Sequence, residues 1–282
     1  MLETLINPAQ AEKGPWKMFF VGLLYGSLSL LLVHWFFSSD YLANFSGMIV
    51  VTFCVMFSLP FMYYLIKQEE KQDEEVETFF GIWRAHSDAI FALMWLFLGF
   101  VIAFSFWNIV LQDSNLFNAQ VGTYCTINSP GQVEKCIEEY SVDSIITGDA
   151  ISNSRFLSIL QNNVYVMIFT LVFSFLFGAG AIFVLAWNAS VISAAVGIFS
   201  KYEITKIPLA LSRYMIHGLP EIAAYFITAL AGGMFGAGVI RNGLKSKTFA
   251  KVVGNIFIML FIAIIILVIA AIIEVWITPV LF

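Results

Sequence analysis

The chain has 282 residues, of which 60% are hydrophobic and only 12% are charged, whereas soluble domains carry about 25% charged residues. A soluble fold of this length cannot enclose so much apolar surface, so lipid must cover the remainder. The net charge of −5, without a basic stripe, argues against a nucleic-acid partner.

Long apolar stretches follow one another along the chain. A helix needs about 20 apolar residues to cross a hydrocarbon core of roughly 30 Å. Five stretches meet this requirement, at residues 16–37, 46–66, 89–111, 222–240 and 252–277. With the region 156–200, they predict an all-α, polytopic transmembrane bundle of six or seven membrane segments, one of them short or re-entrant.

The first predicted unit, residues 1–111, has three membrane helices and a cytoplasmic loop at 67–88. The first half of this loop is predicted to be a solvated acidic run, because it carries Glu69, Glu70, Asp73, Glu74, Glu75 and Glu77. The second half places Phe80 and Trp83 at helical spacing beside Arg84 and His86. That pattern fits either a short interfacial helix or an extension of the third membrane helix.

The second predicted unit is an extracytoplasmic loop at 112–157. It is long and polar, and it contains Cys125 and Cys136. In an oxidising compartment these cysteines are predicted to form a disulfide, worth about 3 kcal/mol on the chain-entropy estimate. A metal site is disfavoured because no histidine or third cysteine lies nearby in the sequence.

The third predicted unit is a membrane core at 158–282. Residues 156–200 are too many for one crossing, and Gly178, Gly180 and Asn188 interrupt them. We expect one helix over 160–187 and a shorter one over 189–200, with Asn188 as its N-cap. The shorter helix either crosses or is re-entrant. The basic loop 241–251 is expected to be cytoplasmic, which favours seven crossings with a cytoplasmic N-terminus.

The segment from His217 to Glu221 is the most unusual in the membrane core. Pro220 is expected near a helix start, and in the helix that follows Glu221 lies on one stripe with Gly232 and Gly236. These glycines allow another helix to approach closely, either within the chain or in a homodimer. Glu221 is therefore expected to face protein, with His217 as its nearest candidate partner. It is either a functional carboxylate or a cap of its own helix.

A second polar stripe begins at Asn162 and Asn163 and continues through small residues towards Gly178. It predicts helix packing more strongly than a solute pathway. The sequence contains no HExxH motif, no phosphate-binding loop and no nucleophile that accompanies the His–Glu pair. We therefore expect neither an enzyme nor a bound metal or cofactor.

Several motifs resemble those of the stage II sporulation protein M family. They are Ile159-Leu-Gln-Asn-Asn163, the glycines Gly178 and Gly180, Asn188 followed by Gly197, and His217-Gly-Leu-Pro-Glu221 leading into Ala231-Gly-Gly233. The resemblance covers residues 156–243, mainly the C-terminal half. It implies a multi-spanning, non-enzymatic protein of the cell membrane, whose family namesake is a scaffold that brings cell-wall hydrolases to the engulfing septum.

Two functions follow as expectations. The first is a membrane scaffold or assembly protein that holds a membrane or extracytoplasmic partner through the cystine loop, with a homodimer as one arrangement. The second is a small transporter or channel that uses His217 and Glu221 at membrane depth, as broken-helix transporter sites do.

Overall fold

A computed structural model describes residues 14–37, 41–76, 78–111, 114–128, 133–141, 152–175, 179–200, 203–243 and 246–281. Throughout these ranges the regular structure is helical. Within the described ranges, seven helices are long and apolar enough to cross a membrane. The predicted all-α membrane bundle is therefore confirmed, with seven membrane-length helices.

The helices of the described ranges are numbered in chain order. The first six are α1 Lys17–Phe37, α2 Ser46–Asp73, α3 Phe79–Leu111, α4 Asn118–Asn128, α5 Val133–Ser141 and α6 Ser152–Ser174. The remaining four are α7 Ala179–Ser200, α8 Ile207–Asn242, α9 Lys247–Ile272 and α10 Thr278–Leu281. A π-helical turn, Ile273–Ile277, joins α9 to α10, and short 3-10 turns lie at Tyr41–Phe45, Ser114–Phe117 and Ile204–Lys206.

The predicted break at Asn188 is wrong. Helix α7 has 22 residues and begins at Ala179, so no short helix starts at residue 189. Asn188 lies in the middle of α7, where its side-chain amide donates to the Val184 carbonyl at 2.8 Å. A bond to the carbonyl four residues earlier satisfies the amide within an unbroken helix, so no cap is needed. Gly178 lies outside the described residues.

The predicted helix start at Pro220 is also wrong. Helix α8 runs for 36 residues from Ile207, with Pro208 in its first turn and Pro220 inside it. The first turn accepts proline because its N–H groups have no intrahelical partner, so Pro208 marks the start. His217 and Glu221 therefore lie on one helix, one turn apart.

Residues 67–88 are mostly helical rather than a loop. Helix α2 continues to Asp73 and α3 begins at Phe79, so only a short connection separates them. The second half was predicted to be either a short interfacial helix or an extension of the third membrane helix. The structure shows the extension.

Close approaches between backbones hold the bundle together. A Cβ atom on Gly22 of α1 would lie 2.2 Å from the Leu96 carbonyl oxygen of α3, and one on Gly99 would lie 2.3 Å from the Phe19 oxygen. Helices α6 and α8 approach in the same way, because a Cβ on Gly232 would lie 2.6 Å from the Leu171 oxygen. Small residues at such crossings are the usual means of packing membrane helices.

The predicted disulfide between Cys125 and Cys136 is present and joins α4 to α5, with Cα atoms 5.7 Å apart. We call α4 and α5 together the cystine lobe, and the end of the bundle that carries it the cysteine end. The opposite end, where α2 and α8 finish and α3 and α9 begin, is called the acidic end. Both cysteines are buried, so the disulfide forms the small core of the lobe.

Candidate functional site

Glu221 faces helix α6, as expected for a carboxylate in the membrane region. The Asn163 side-chain amide donates to Glu221 Oε1 at 2.6 Å, and Asn163 itself is buried. The hydrogen-bonding partner that the structure shows is thus an amide on a neighbouring helix. The predicted pairing with His217 stays a prediction. An amide donor satisfies one carboxylate oxygen but brings no positive charge, so this contact joins α6 to α8 without neutralising Glu221.

The end of helix α9 completes this site. Glu274 lies close enough to Glu221 for the two carboxylates to interact electrostatically. The Thr278 hydroxyl lies 3.2 Å from His217 Nδ1 and also donates to the Ile273 carbonyl at 3.1 Å, five residues earlier. Glu274 and Thr278 thus come to the site through the π-helical turn, a feature that often occurs at functional sites.

Sequence reasoning missed Glu274 and Thr278. Both lie at the end of a stretch without polar side chains from Ile256 to Ile273, and nothing in that stretch indicates which face meets α8. A carboxylate in the last turn of an apolar helix was the available signal. Its proximity to Glu221 depends on tertiary packing.

The three predicted asparagines do not converge. Asn163 belongs to the Glu221 site, whereas Asn188 is bonded within α7. Asn162 is exposed and lines an open hollow of about 450 Å³ between α6 and the cystine lobe. The lobe side of this hollow includes Thr123, Thr126 and Ile137.

The predicted glycine contacts lie within the chain. A Cβ on Gly236 would lie 2.4 Å from the Phe175 carbonyl oxygen, and one on Gly180 would lie 2.2 Å from the Phe173 Cβ. Gly232 faces Leu171 and Ser174 of α6, and Gly236 faces Phe175, the residue that follows α6. Both glycines lie on the helix that carries Glu221, and their contacts lie towards the end of the helix that carries Asn163. These glycines therefore set the spacing at which Asn163 reaches Glu221.

A second polar cluster, which the sequence analysis did not predict, lies at the acidic end. His86 of α3 contacts two carboxylates of α2: Nδ1 lies 2.6 Å from Glu69 Oε2 and Nε2 lies 3.1 Å from Asp73 Oδ1. The Asn255 amide of α9 donates to both Asp73 oxygens, at 3.2 and 3.1 Å. We call these four residues the His86 cluster.

Ion pairs continue from this cluster to helix α8. Arg241 Nη1 lies 2.9 Å from Glu70 Oε2, and its second amino group donates to Glu74. Lys251 of α9 donates to the Glu74 backbone carbonyl at 2.9 Å. Four helices are therefore connected through charged groups at the acidic end.

The predicted solvated acidic run is wrong for three of its members. Glu69 and Asp73 are 0% exposed and Glu70 is 1% exposed. Glu77 lies outside the described residues. The structure buries these acids because α2 continues past the length of a membrane crossing and packs against α3, α8 and α9. The four-residue spacing of Glu69 and Asp73, which puts both on one helix face, was the available sequence signal.

Comparison with known proteins gives one result. The chain matches the family model described as stage II sporulation protein M over residues 18–279. The match covers nearly the whole chain, so restricting the resemblance mainly to the C-terminal half was too narrow. No curated protein matches the chain. No solved structure matches it either.

Proposed function

The chain belongs to the stage II sporulation protein M family, and from this premise we propose that it is a non-enzymatic scaffold or assembly protein of the cell membrane. In this proposal the cystine lobe is extracytoplasmic and holds a membrane or extracytoplasmic protein. The N-terminus and the acidic end are cytoplasmic.

The observation that carries the proposal is the attachment of the cystine lobe to the membrane helices. The Gln120 side-chain amide of α4 donates to the Gly47 carbonyl of α2 at 3.1 Å, and Gln120 is 0% exposed. The hydroxyls of Tyr124 and Tyr214 lie 3.4 Å apart, which connects α4 to α8. A lobe closed by a disulfide and bonded to two helices presents a fixed surface, and a preformed surface loses little entropy when a partner binds.

The outer face of the lobe has the mixed character of a protein-binding surface. Helix α5 exposes Glu134, Lys135 and Ile137, and Ile137 also lines the hollow beside Asn162. An apolar side chain flanked by charges is typical of the edge of a protein interface.

The proposed orientation rests on the basic residues at the acidic end. Arg241, Lys245, Lys247 and Lys251 lie in or beside the connection between α8 and α9, and basic residues predominate in cytoplasmic loops. Labelling of single cysteines placed on the lobe and on this connection, from each side of the membrane, tests the orientation.

The scaffold proposal is tested by affinity purification from native membranes, with mass determination of the intact complex. We expect a stoichiometric partner that is lost when Glu134→Lys, Lys135→Glu and Ile137→Asp are combined. The matched control combines Lys247→Glu with Thr248→Lys, two exposed positions at the acidic end. Retention of the partner by the lobe variant, or purification without any partner, contradicts the scaffold.

The same mass measurement tests the homodimer. Gly232 and Gly236 face α6 and Phe175 of their own chain, so a dimer must use another surface. If a dimer persists in the lobe variant, the dimer interface lies outside the cystine lobe.

One observation supports the transporter or channel as the second candidate. Glu221, Glu274, His217 and Thr278 come together from α8 and the π-helical turn, and ionisable side chains inside a membrane commonly mark a solute or proton path. Flux measured in proteoliposomes decides between the two functions. A transporter loses flux on Glu221→Gln while remaining folded, whereas a scaffold changes in stability or assembly.

A further inference from the structure

The His86 cluster holds three titratable groups and an amide in a space closed to water. His86 is 1% exposed, and both carboxylates that contact it are 0% exposed. They come from α2 and α3, and Asn255 adds α9. The cluster therefore sits at the junction of three membrane helices.

The contacts of His86 set the number of protons in the cluster. Each of its two nitrogen–oxygen contacts requires one hydrogen between the atoms, whichever atom carries it. A neutral imidazole supplies only one hydrogen, and an ionised carboxylate supplies none. The arrangement therefore holds one proton more than a neutral histidine with two carboxylates.

Within the described part of the chain, the surroundings of Glu69 offer no other hydrogen-bond donor that could take the place of that proton. Glu69 Oε1 is buried and has no hydrogen-bond partner among the described residues. The space beside His86 is about 10 Å³, and its other lining residues are apolar or aromatic. That volume is at the lower limit for one water molecule. Water therefore cannot readily enter to supply the hydrogen bond that is lost when the proton leaves.

The neighbouring charges are already engaged. Arg241 pairs with Glu70 and Glu74, and Lys251 donates to the Glu74 backbone. Asn255 donates to Asp73 but carries no charge. The guanidinium stays charged at every pH of interest, so these contacts persist while the His86 cluster titrates.

We propose that the His86 cluster is a proton-binding site whose occupancy fastens the acidic ends of α2, α3 and α9 together. When the proton leaves to bulk water, one His86–carboxylate contact loses its hydrogen and the junction opens. In the open, hydrated state His86 releases its extra proton above about pH 6.5. The closed state binds more protons than the open state above this pH, so the junction is stable at neutral pH and weakens as the pH rises.

Hydrogen–deuterium exchange of the full chain in lipid nanodiscs between pH 6 and 10 tests this proposal. After correction for the intrinsic exchange rate, the opening equilibrium at residues 67–90 is expected to be flat below about pH 6.5. Above this pH it should rise by up to about tenfold per pH unit, as for release of one proton, until the closed state also loses its proton. Residues 118–128 of the cystine lobe are the internal reference and should show no such slope.

The decisive variant is Glu69→Gln. Its amide can donate to neutral His86 while His86 donates to Asp73, so both contacts persist without the additional proton. We expect the pH slope to disappear and the closed state to remain. Asp73→Asn follows the same logic and serves if Glu69→Gln does not fold. Glu203→Gln, the same change at an exposed glutamate, is the matched control and should retain the slope.

Nitrogen-15 spectra of the three histidines provide a separate readout, with His86 identified through His86→Gln. His86 is expected to remain protonated at neutral pH in the wild type and to be neutral in Glu69→Gln. A flat exchange profile in the wild type, or equal slopes in the wild type and both cluster variants, overturns the proposal.

Discussion

The two polar sites of this membrane bundle are held together by different chemistry. At the acidic end, the buried carboxylates Glu69, Glu70 and Asp73 contact His86 or Arg241. In the Glu221 site, the hydrogen bond to the carboxylate comes from a neutral amide, and a second carboxylate, Glu274, lies within electrostatic range. The first arrangement neutralises charge, whereas the second keeps two acids near each other.

The difference indicates which site contributes more to the stability of the protein. When the cation of a buried ion pair is removed, the protein loses several kcal/mol of stability, because the remaining carboxylate is buried without a counter-charge. A hydrogen bond between membrane helices contributes only about 0.6 kcal/mol on average. We therefore expect the acidic end to control stability, and the Glu221 site to tolerate change more easily.

The largest effect is expected for His86→Ala. It removes the histidine from two buried carboxylates, of which Asp73 keeps only the neutral Asn255 amide, and should destabilise the protein by about 3–5 kcal/mol. Thermal unfolding in detergent micelles measures this loss. Arg84→Ala, an exposed cation half a turn away, is the control and should change stability little. Equal effects of the two substitutions would break the comparison between the two sites.

The next effect concerns the cystine lobe. Replacing both Cys125 and Cys136 with serine should lower the local stability of α4 and α5 by about 3 kcal/mol, because the open lobe gains chain entropy. Faster hydrogen exchange at residues 118–141, with little change in the membrane helices, is the expected result. Cys54→Ala removes the buried thiol of α2 and should leave the lobe unchanged.

A smaller effect is expected at the crossing of α6 and α8. Gly236→Ala places a methyl group against the Phe175 carbonyl and should cost about 1–3 kcal/mol, because backbone must move. Gly254→Ala in α9 is the matched control, since a Cβ there meets nothing within 4 Å. It should be neutral or stabilising by up to about 1 kcal/mol. Comparable losses at both glycines would show that close packing does not explain Gly236.

The smallest effect is expected for Asn163→Ala, which removes the amide that donates to Glu221. We expect a loss of about 0.6–1.7 kcal/mol, between the average and the maximum measured for hydrogen bonds between membrane helices. A double-mutant cycle with Glu221→Gln isolates the coupling between the two side chains. A loss as large as that of His86→Ala would show that the Glu221 site, and not the acidic end, controls stability.

Much of the fold followed from local pattern. The membrane helices were predicted from the length of apolar runs, and the disulfide from two cysteines in a polar segment. Two of the errors occurred where a residue was wrongly interpreted as breaking a helix. Asn188 and Pro220 both lie inside helices, because an amide can bond within its own helix and a proline is tolerated in a membrane helix whose neighbours satisfy the freed backbone groups.

The candidate sites were less accessible to sequence reasoning. The exposure of Glu221 to protein, rather than to lipid, was expected from its place on a glycine stripe. Its partner Asn163 is 58 residues away in the chain, and Glu274 comes from the end of another helix. Spacing within one helix carries no information on such distant pairs, which depend on how helices cross.

By itself, the sequence determined that the chain forms membrane helices, because the length of an apolar run is a local property that can be compared directly with the thickness of the bilayer. It also determined that Glu221 needs a protein environment. Only the tertiary structure decided which acids are buried at the end of α2 and which partners meet them. The physical reason is that the burial of a charge depends on the cations that neighbouring helices bring to it, and those helices are distant in the chain.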